Sequence, residues 1–369
     1  MRPAPGVAGT NAIGFAYVTN NGDNNVSAYS IGAAAALTPV AGSPFAAGSE
    51  PQGVTIDPTG KFAYVANTGS DNISAYAINA TSGQLTPVVG SPFAAGSSPF
   101  SVAVDTTGKF AYVADNISDD VSAYTINATS GALSPMAGSP FAAGNGPWGI
   151  AIDPTDKFVY VPNEGSNNVS AYLIDATTGA LTPVAGSPFK AGTAPAGMAI
   201  NPTGKFAYVA NRLSADVSAY TINASSGSLT QVAGSPFGAG SYPDSASVVP
   251  ADRFAYVANL DSNDVSAYAV DASSGVLTQL AGSPFASGKG PVTVVTQDHP
   301  DNRIGTFAYV TDSADNDVSA YIIKGNSGAL VPVSGSPFAA GNTPWGIATC
   351  QIDHTKCKPP PHEPPPHRP

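Results

Sequence analysis

The feature that most constrains the fold is a segment of about 48 residues that recurs seven times along the chain. The tetrapeptide FAYV, or a near variant, marks each copy, and the intervals between its tyrosines are 47, 48, 48, 48, 48 and 53 residues. The tripeptide SPF recurs with the same period. The seven marker tyrosines are Tyr17, Tyr64, Tyr112, Tyr160, Tyr208, Tyr256 and Tyr309. Such constant spacing indicates one repeat architecture over nearly the whole chain.

Within each repeat the hydrophobic pattern predicts four short β-strands. In one repeat, apolar runs cover residues 149–153, 158–161, 169–174 and 181–189, and turn-forming residues separate them. Four strands in about 48 residues are typical of a propeller blade. Frequent Pro and Gly exclude a helical solenoid, and a parallel β-helix would use coils of roughly 20 to 30 residues. We therefore predict an all-β fold, a seven-bladed β-propeller with four antiparallel strands per blade.

The two ends of the chain predict how the ring closes. The first repeat begins with its second strand, near Phe15, whereas residues 344–349 form an inner strand that no repeat follows. Pairing them completes a blade from three N-terminal strands and one C-terminal strand, which leaves no free sheet edge at the seam. The predicted organisation is a lead-in over residues 1–12, a propeller over 13–353 and a proline-rich tail over 354–369. The tail is typical of a polyproline II spacer.

Charge and composition exclude several classes of function. The formal net charge is −11, from 25 acidic and 14 basic residues, and no basic cluster could neutralise phosphates, so we predict no nucleic-acid binding. No apolar run approaches the roughly 18 residues of a membrane span, so we predict no membrane insertion. The chain has no CxxCH sequence, so we predict no covalently bound haem. We expect no cofactor.

The two cysteines, Cys350 and Cys357, both lie near the C-terminus. They could form a local disulfide, which would indicate an oxidising compartment, or they could be two free thiols. We favour the disulfide, because no neighbouring His or Cys completes a zinc set of the usual spacing. It would restrain the end of the closing strand. We accordingly expect an extracellular or cell-surface protein.

The repeat also resembles a known family. FAYVTN at residues 15–20, together with the NVSAY and TSGxLTPV segments, is similar to the YVTN-type propellers. These belong to a larger group that resembles seven-bladed lactonases of the 6-phosphogluconolactonase kind. The resemblance covers residues from about 13 to 350, and the matching residues are those that build blades. It implies the propeller fold, and for activity it implies a lactone hydrolase that uses His, Arg and Glu.

Candidate ligand or partner residues are those that open the inner strands, because loops entering these strands share one face of a propeller with the loops between second and third strands. Trp148 and Trp345 could form a ligand platform on this face, or they could plug the central channel and pack the blades, which we favour. The complete set is Gln52, Phe100, Trp148, Ala196, Asp244, Val292 and Trp345.

Catalytic residues of the implied kind are scarce. The propeller holds one histidine, His299, in a turn predicted on the opposite face. The basic residues on the presumed active face are Lys190, Arg212 and Lys289. Glu164 with Arg212 could make a minimal catalytic pair, but we favour an ordinary surface charge pair. The sequence therefore predicts no hydrolysis of 6-phosphogluconolactone.

Turns rich in Asn and Asp raise the hypothesis of a calcium site, with Asp312, Asp315 and Asp317 as the candidate ligands. Calcium takes six to eight oxygen ligands, often with a bidentate Glu, and no Glu is suitably placed here. All seven copies of the turn also fall in a predicted hairpin, where Asn and Asp cap their own backbone. We favour the turn interpretation and predict no metal.

Two functional hypotheses follow. The favoured one is a non-enzymatic extracellular or cell-surface propeller that serves as a structural scaffold or as a protein-interaction and assembly module. It rests on the low charge, the near-identical blades and the missing catalytic set, and it implies a protein partner or self-assembly, with the proline-rich tail as a fastener. The alternative is a lactonase-like hydrolase, of the 6-phosphogluconolactonase type, that acts on a sugar lactone.

Overall fold

The computed structural model describes residues 12–249, 253–299, 306–353 and 356–358. Seven antiparallel sheets, one for each repeat, make up this part of the chain, and its one helical element is the 3-10 turn Asn21–Asp23. The prediction of an all-β, seven-bladed propeller is confirmed. Among the described residues, no helix has the length and apolar character needed to cross a bilayer.

Each blade is built outward from an inner strand that borders the central axis. The inner strands are Pro51–Ile56, Pro99–Val104, Ala151–Ile152, Pro195–Ile200, Pro243–Val248, Pro291–Asp298 and Pro344–Asp353. The second strands carry the FAYV segment and are Ala12–Asn20, Phe62–Asn67, Phe110–Asp115, Phe158–Asn163, Phe206–Asn211, Phe254–Asn259 and Thr306–Asp312. The central residues of every second strand are buried on both sides, which explains their unbroken apolar character.

The third strands carry the SAY segment, and each pairs with an outer strand that is broken into two pieces. The third strands are Asn25–Gly32, Asn72–Ile78, Asp120–Ile126, Asn168–Ile174, Asp216–Ile222, Asp264–Val270 and Asp317–Ile323. The outer pieces are Leu37–Pro39 with Phe45–Ala46, Leu85–Pro87 with Phe93–Ala94, Leu133–Pro135 with Phe141–Ala142, Leu181–Pro183 with Phe189–Lys190, Leu229–Gln231 with Phe237–Gly238, Leu277–Gln279 with Phe285–Ala286, and Leu330–Pro332 with Phe338–Ala339. The Ser-Pro segment between the pieces lacks a proline N–H for the ladder, so the predicted fourth strand divides there.

Ring closure occurs as predicted. The strand Ala12–Asn20 pairs with Pro344–Asp353, in a register that sets Ala16 opposite Thr349 and Tyr17 opposite Ala348. The closing strand runs past Thr349, the predicted end, and Lys356–Lys358 folds back to pair with it. This extension adds a hairpin to the seam of the ring.

The core lies between neighbouring blades, and the marker tyrosines tie the blades together. Tyr17 is fully buried, and its hydroxyl donates to the carbonyl oxygen of Gly83 in the next blade at 3.0 Å. The same bond recurs from blade to blade. The last one, from the Tyr309 hydroxyl to the Ala35 carbonyl oxygen at 3.2 Å, joins the last blade to the first. The tyrosine of FAYV is therefore both a core residue and a blade-to-blade hydrogen-bond donor.

Polar turn residues on the two faces of the disc satisfy backbone groups. On one face, Asp57 Oδ1 accepts hydrogen bonds from the N–H groups of Lys61 and Phe62, each at 2.7 Å. On the other, Asn67 Oδ1 accepts a hydrogen bond from the N–H group of Gly48 at 3.1 Å. We call this second face, which carries the loops entering the inner strands, the mouth face.

Candidate functional site

The inner strands enclose an axial channel of about 1210 Å³. Its wall is mainly aliphatic, with residues such as Val54, Val102 and Ile200. Phe100 and Trp345, near the start of two inner strands, and Trp148, which precedes a third, line its end at the mouth face. Its other end reaches the first-to-second strand turns of the opposite face. The mouth of the channel is a concave, mostly apolar pocket with a few polar side chains, as is usual for a ligand-binding site.

Aromatic rings fill one side of the mouth. The ring centroids of Phe100 and Trp148 lie 3.7 Å apart at an interplanar angle of 33°, and Trp345 meets Phe100 at 6.2 Å and 76°. The Cζ atom of Arg212 lies 3.5 Å from the centroid of the Trp148 ring, a cation–π contact. Phe100 and Arg212 therefore cover both faces of Trp148, and no face of this ring is left for a ligand to stack on. The predicted platform and plug roles of Trp148 and Trp345 stay predictions.

A charged cluster stands beside these rings. The Nε of Arg212 donates to Asp244 Oδ1 at 2.6 Å, and its Nη2 contacts the same carboxylate. Its Nη1 donates to Glu164 Oε1 at 3.2 Å. One guanidinium thus holds two carboxylates, and its fork engages Asp244 through two nitrogens.

Burial differs sharply within the cluster. The Arg212 and Asp244 side chains are 3% and 2% exposed, whereas that of Glu164 is 28% exposed. Burial raises the pKa of Asp244, and the charge of Arg212 opposes that rise. Glu164 is the member of the cluster that solvent or a ligand can reach. The predicted Glu164–Arg212 pair therefore forms, but the favoured interpretation as a surface pair is wrong because Arg212 is buried.

The repeat explains how these side chains meet. Glu164 and Arg212 each follow the last residue of a second strand, Asn163 and Asn211, and they are 48 residues apart. They therefore occupy equivalent positions in adjacent blades. Asp244 comes from the start of the inner strand in the blade after that of Arg212. Sequence reasoning named all three residues, but it did not join Asp244 to the pair.

The remaining candidates are dispersed. Gln52 is buried at the mouth face, and its Oε1 has no hydrogen-bond partner among the residues that the structure describes. Ala196 and Val292 are buried packing residues. His299 follows the end of an inner strand, on the opposite face as predicted, and is buried with its ring 5.8 Å from that of Phe307. It is far from the mouth along the channel axis.

No group of three or more His, Cys, Asp or Glu within the described ranges is placed to hold a metal ion. In the candidate calcium loop, Asp312 Oδ1 accepts from the Ser287 hydroxyl at 2.8 Å. Asp315 Oδ2 accepts from the backbone N–H of Lys289, also at 2.8 Å. Asp312 and Asp315 are therefore already hydrogen-bonded to residues of a neighbouring loop. Asp317 does not complete a group of three metal-binding side chains within the described residues.

Cys350 is buried on the closing strand and is disulfide-bonded. The side chain of Cys357 lies outside the described residues, so the predicted Cys350–Cys357 pairing stays a prediction. The predicted protein partner or self-assembly and the role of the tail stay predictions as well.

Comparison with protein families gives one match, to the family described as Lactonase, 7-bladed beta-propeller, over residues 7–102 and 94–296. No curated protein matches the sequence.

Among solved structures, similar ones include two Bacteroides proteins described as candidate 6-phosphogluconolactonases and a Pseudomonas aeruginosa periplasmic gluconolactonase. The Bacteroides fragilis protein is 18% identical, with a TM-score of 0.78 over 94% of this chain and 99% of its own. The Bacteroides uniformis protein is 16% identical, with a TM-score of 0.77 over 92% and 100%. The Pseudomonas aeruginosa protein is 19% identical, with a TM-score of 0.75 over 93% and 100%. These likenesses support the fold.

The family match overturns the favoured functional hypothesis. The prediction of a non-enzymatic scaffold was wrong, and the alternative, a lactonase-like hydrolase, agrees with the match. The error came from requiring a histidine and several free cations on the mouth face.

Proposed function

We propose, from the premise that this chain belongs to the family of seven-bladed β-propeller lactonases, that it hydrolyses a sugar lactone at the mouth of its channel. The observation that carries the proposal is the buried Arg212, which holds the partly exposed Glu164 carboxylate beside the aromatic rings of the mouth. A lactone is a cyclic ester, so its hydrolysis adds water to the carbonyl carbon and opens the ring to a hydroxy acid.

Glu164 is the proposed general base. Its carboxylate takes a proton from a water molecule, whose oxygen attacks the lactone carbonyl carbon. The ring C–O bond then breaks, and Glu164 returns the proton to the leaving oxygen, so that the carboxyl is restored to its ionised form. A positioned base of this kind typically contributes about 10²- to 10⁴-fold in rate.

Arg212 and Asp244 are positioning residues in this proposal. Arg212 Nη1 fixes one oxygen of Glu164, and the two contacts to Asp244 fix the guanidinium in turn. Because Arg212 also lies against the Trp148 ring, its side chain has little freedom to move. Glu164 therefore has a defined direction relative to the mouth.

Contacts with the substrate would come from side chains at the mouth that are still partly exposed. Trp345 does not stack on Phe100, and its half-buried ring can receive the apolar C–H face of a sugar.

We further propose a location outside the cytoplasm. The disulfide at Cys350 is of the kind that persists in oxidising compartments. The gluconolactonase of Pseudomonas aeruginosa with a similar fold is described as periplasmic. Whether the protein is extracellular, on the cell surface or periplasmic would be decided by fractionating the native host.

The experiment compares the purified full-length protein with Glu164→Gln and with a matched control, Glu50→Gln. Glu50 lies on the same face, in an exposed loop that enters an inner strand. Acid release from glucono-δ-lactone is followed in a pH-stat, with the spontaneous rate subtracted. We expect Glu164→Gln to lower kcat/KM by about 100-fold or more and Glu50→Gln to leave it unchanged. Equal loss in both variants, or none in Glu164→Gln, would remove Glu164 from the reaction.

A further inference from the structure

Two carboxylates already occupy the guanidinium of Arg212. Its Nε and Nη2 face Asp244, and its Nη1 faces Glu164. With one positive and two negative groups, the cluster carries a formal charge of −1. The buried fork therefore has no set of donors directed at a second anion.

Other cations on the mouth face are few and peripheral. Among the described residues of this face they are Lys190 and Lys289. Lys190 ends an outer strand piece at the rim of the disc, and Lys289 is exposed in a loop whose backbone is bonded to Asp315. Exposed or partly exposed acidic residues outnumber these lysines on the same face, among them Asp23, Glu50, Asp71, Asp119 and Asp315. The field at the mouth is therefore negative.

We propose that the site selects uncharged sugar lactones and rejects those that carry a phosphate, and that Asp244 sets this preference by neutralising Arg212. The inference rests on the proposed function and names its substrate class. Phosphate recognition uses free guanidinium forks or several convergent N–H donors. Here Asp244 holds the fork, and the surrounding carboxylates repel a dianion. An uncharged lactone meets neither obstacle.

Asp244 can act in this way because it is itself inaccessible. Its side chain is 2% exposed and two nitrogens of Arg212 face it, so it does not contact a ligand directly and acts mainly by neutralising that guanidinium. Replacing Asp244 with asparagine keeps the size of the side chain and removes its charge. In this variant only the Glu164 carboxylate still balances the positive charge of Arg212, so the cluster becomes formally neutral.

The test measures kcat/KM for glucono-δ-lactone and for 6-phosphogluconolactone at low and high salt. The wild-type protein should prefer the uncharged lactone by about tenfold or more, and added salt should narrow the ratio because it screens repulsion of the phosphate. Asp244→Asn should also narrow the ratio, on the order of threefold or more. The matched control, Asp261→Asn, removes an exposed charge from the same face that does not contact Arg212, and it should change the ratio much less than Asp244→Asn does. Equal or better use of the phosphorylated lactone by the wild-type protein would overturn the proposal.

Failure of this inference is distinguishable from failure of the proposed function. If neither lactone is turned over above its spontaneous rate, the proposed function fails. Calorimetric binding of two stable probes, glucose and glucose 6-phosphate, to the wild-type protein then decides the charge preference alone. Tighter binding of glucose supports it, whereas tighter binding of glucose 6-phosphate, or no binding of either, overturns it. Should Asp244→Asn fail to fold, the salt dependence of the wild-type ratio carries the test.

Discussion

Replacing Asp115 with asparagine should stabilise the protein most at neutral and alkaline pH. Asp115 ends a second strand, is fully buried, and lies opposite Asp120 on the third strand. In another blade the equivalent residue is Asn211, whose Nδ2 donates to Asp216 Oδ1 at 2.7 Å. Two facing carboxyls lack that donor unless one of them is protonated. Burial, with the nearby charge of Asp120 as a smaller contribution, accordingly raises the pKa of Asp115 to about 7.

The size and sign of the effect follow from this shift. An unfolded aspartate releases its proton near pH 3.8, so between that pH and about 7 the folded protein holds a proton that the unfolded chain has lost. Stability therefore falls as pH rises through this window. At about 1.4 kcal/mol per pKa unit, the loss between pH 5 and pH 8 is about 3 kcal/mol, because the folded carboxyl itself ionises near pH 7. Asparagine does not titrate, so the variant escapes this loss.

The assay is equilibrium unfolding in urea at several pH values from 5 to 8, for the wild-type protein, Asp115→Asn and a control, Asp261→Asn. Asp261 is exposed on the same face. The free energy of unfolding of Asp115→Asn relative to wild type should increase by about 3 kcal/mol from pH 5 to pH 8, while that of the control stays nearly constant. A change below about 1 kcal/mol for Asp115→Asn would refute the reasoning.

Two further predictions concern the contacts between blades. Gly83 has a φ of +74°, and a Cβ there would run into the Phe15 ring, so Gly83→Ala should lower the unfolding free energy by about 1–3 kcal/mol. Gly325, where a Cβ would meet nothing within 4 Å, is the control, and equal losses at both sites would contradict the steric argument. Tyr309→Phe removes the hydroxyl that donates to the buried Ala35 carbonyl and should cost about 1–2 kcal/mol in the same unfolding assay. An unchanged midpoint would show that this bond does not hold the ring closed.

Much of the architecture could be predicted because it depends on local sequence that is repeated. The spacing of FAYV, SAY and the turns defines the strands, and the unequal ends of the chain define the closing pair. The break in each outer strand was missed, although the SPF segment that causes it was recognised as a marker. The extension of the closing strand to Asp353 was missed because residues after Thr349 no longer follow the repeat.

The candidate site was only partly predictable. Glu164 and Arg212 stood out because they place charges at the same repeat position in neighbouring blades, where other blades have residues such as Thr68 or Leu260. Their burial was not predictable, because it depends on how Trp148 and Asp244 approach from two different blades. The sequence does not show that these two side chains pack against Arg212. The two charged residues taken alone therefore suggested an exposed pair.

The measurement that tests the central claim most directly is the initial rate of acid release from glucono-δ-lactone by the purified full-length protein, with the spontaneous rate subtracted. We predict a rate that is proportional to protein concentration and saturates with substrate. Acid release equal to the spontaneous rate at every protein concentration, for this lactone and for the lactones of other sugar acids, would contradict the account.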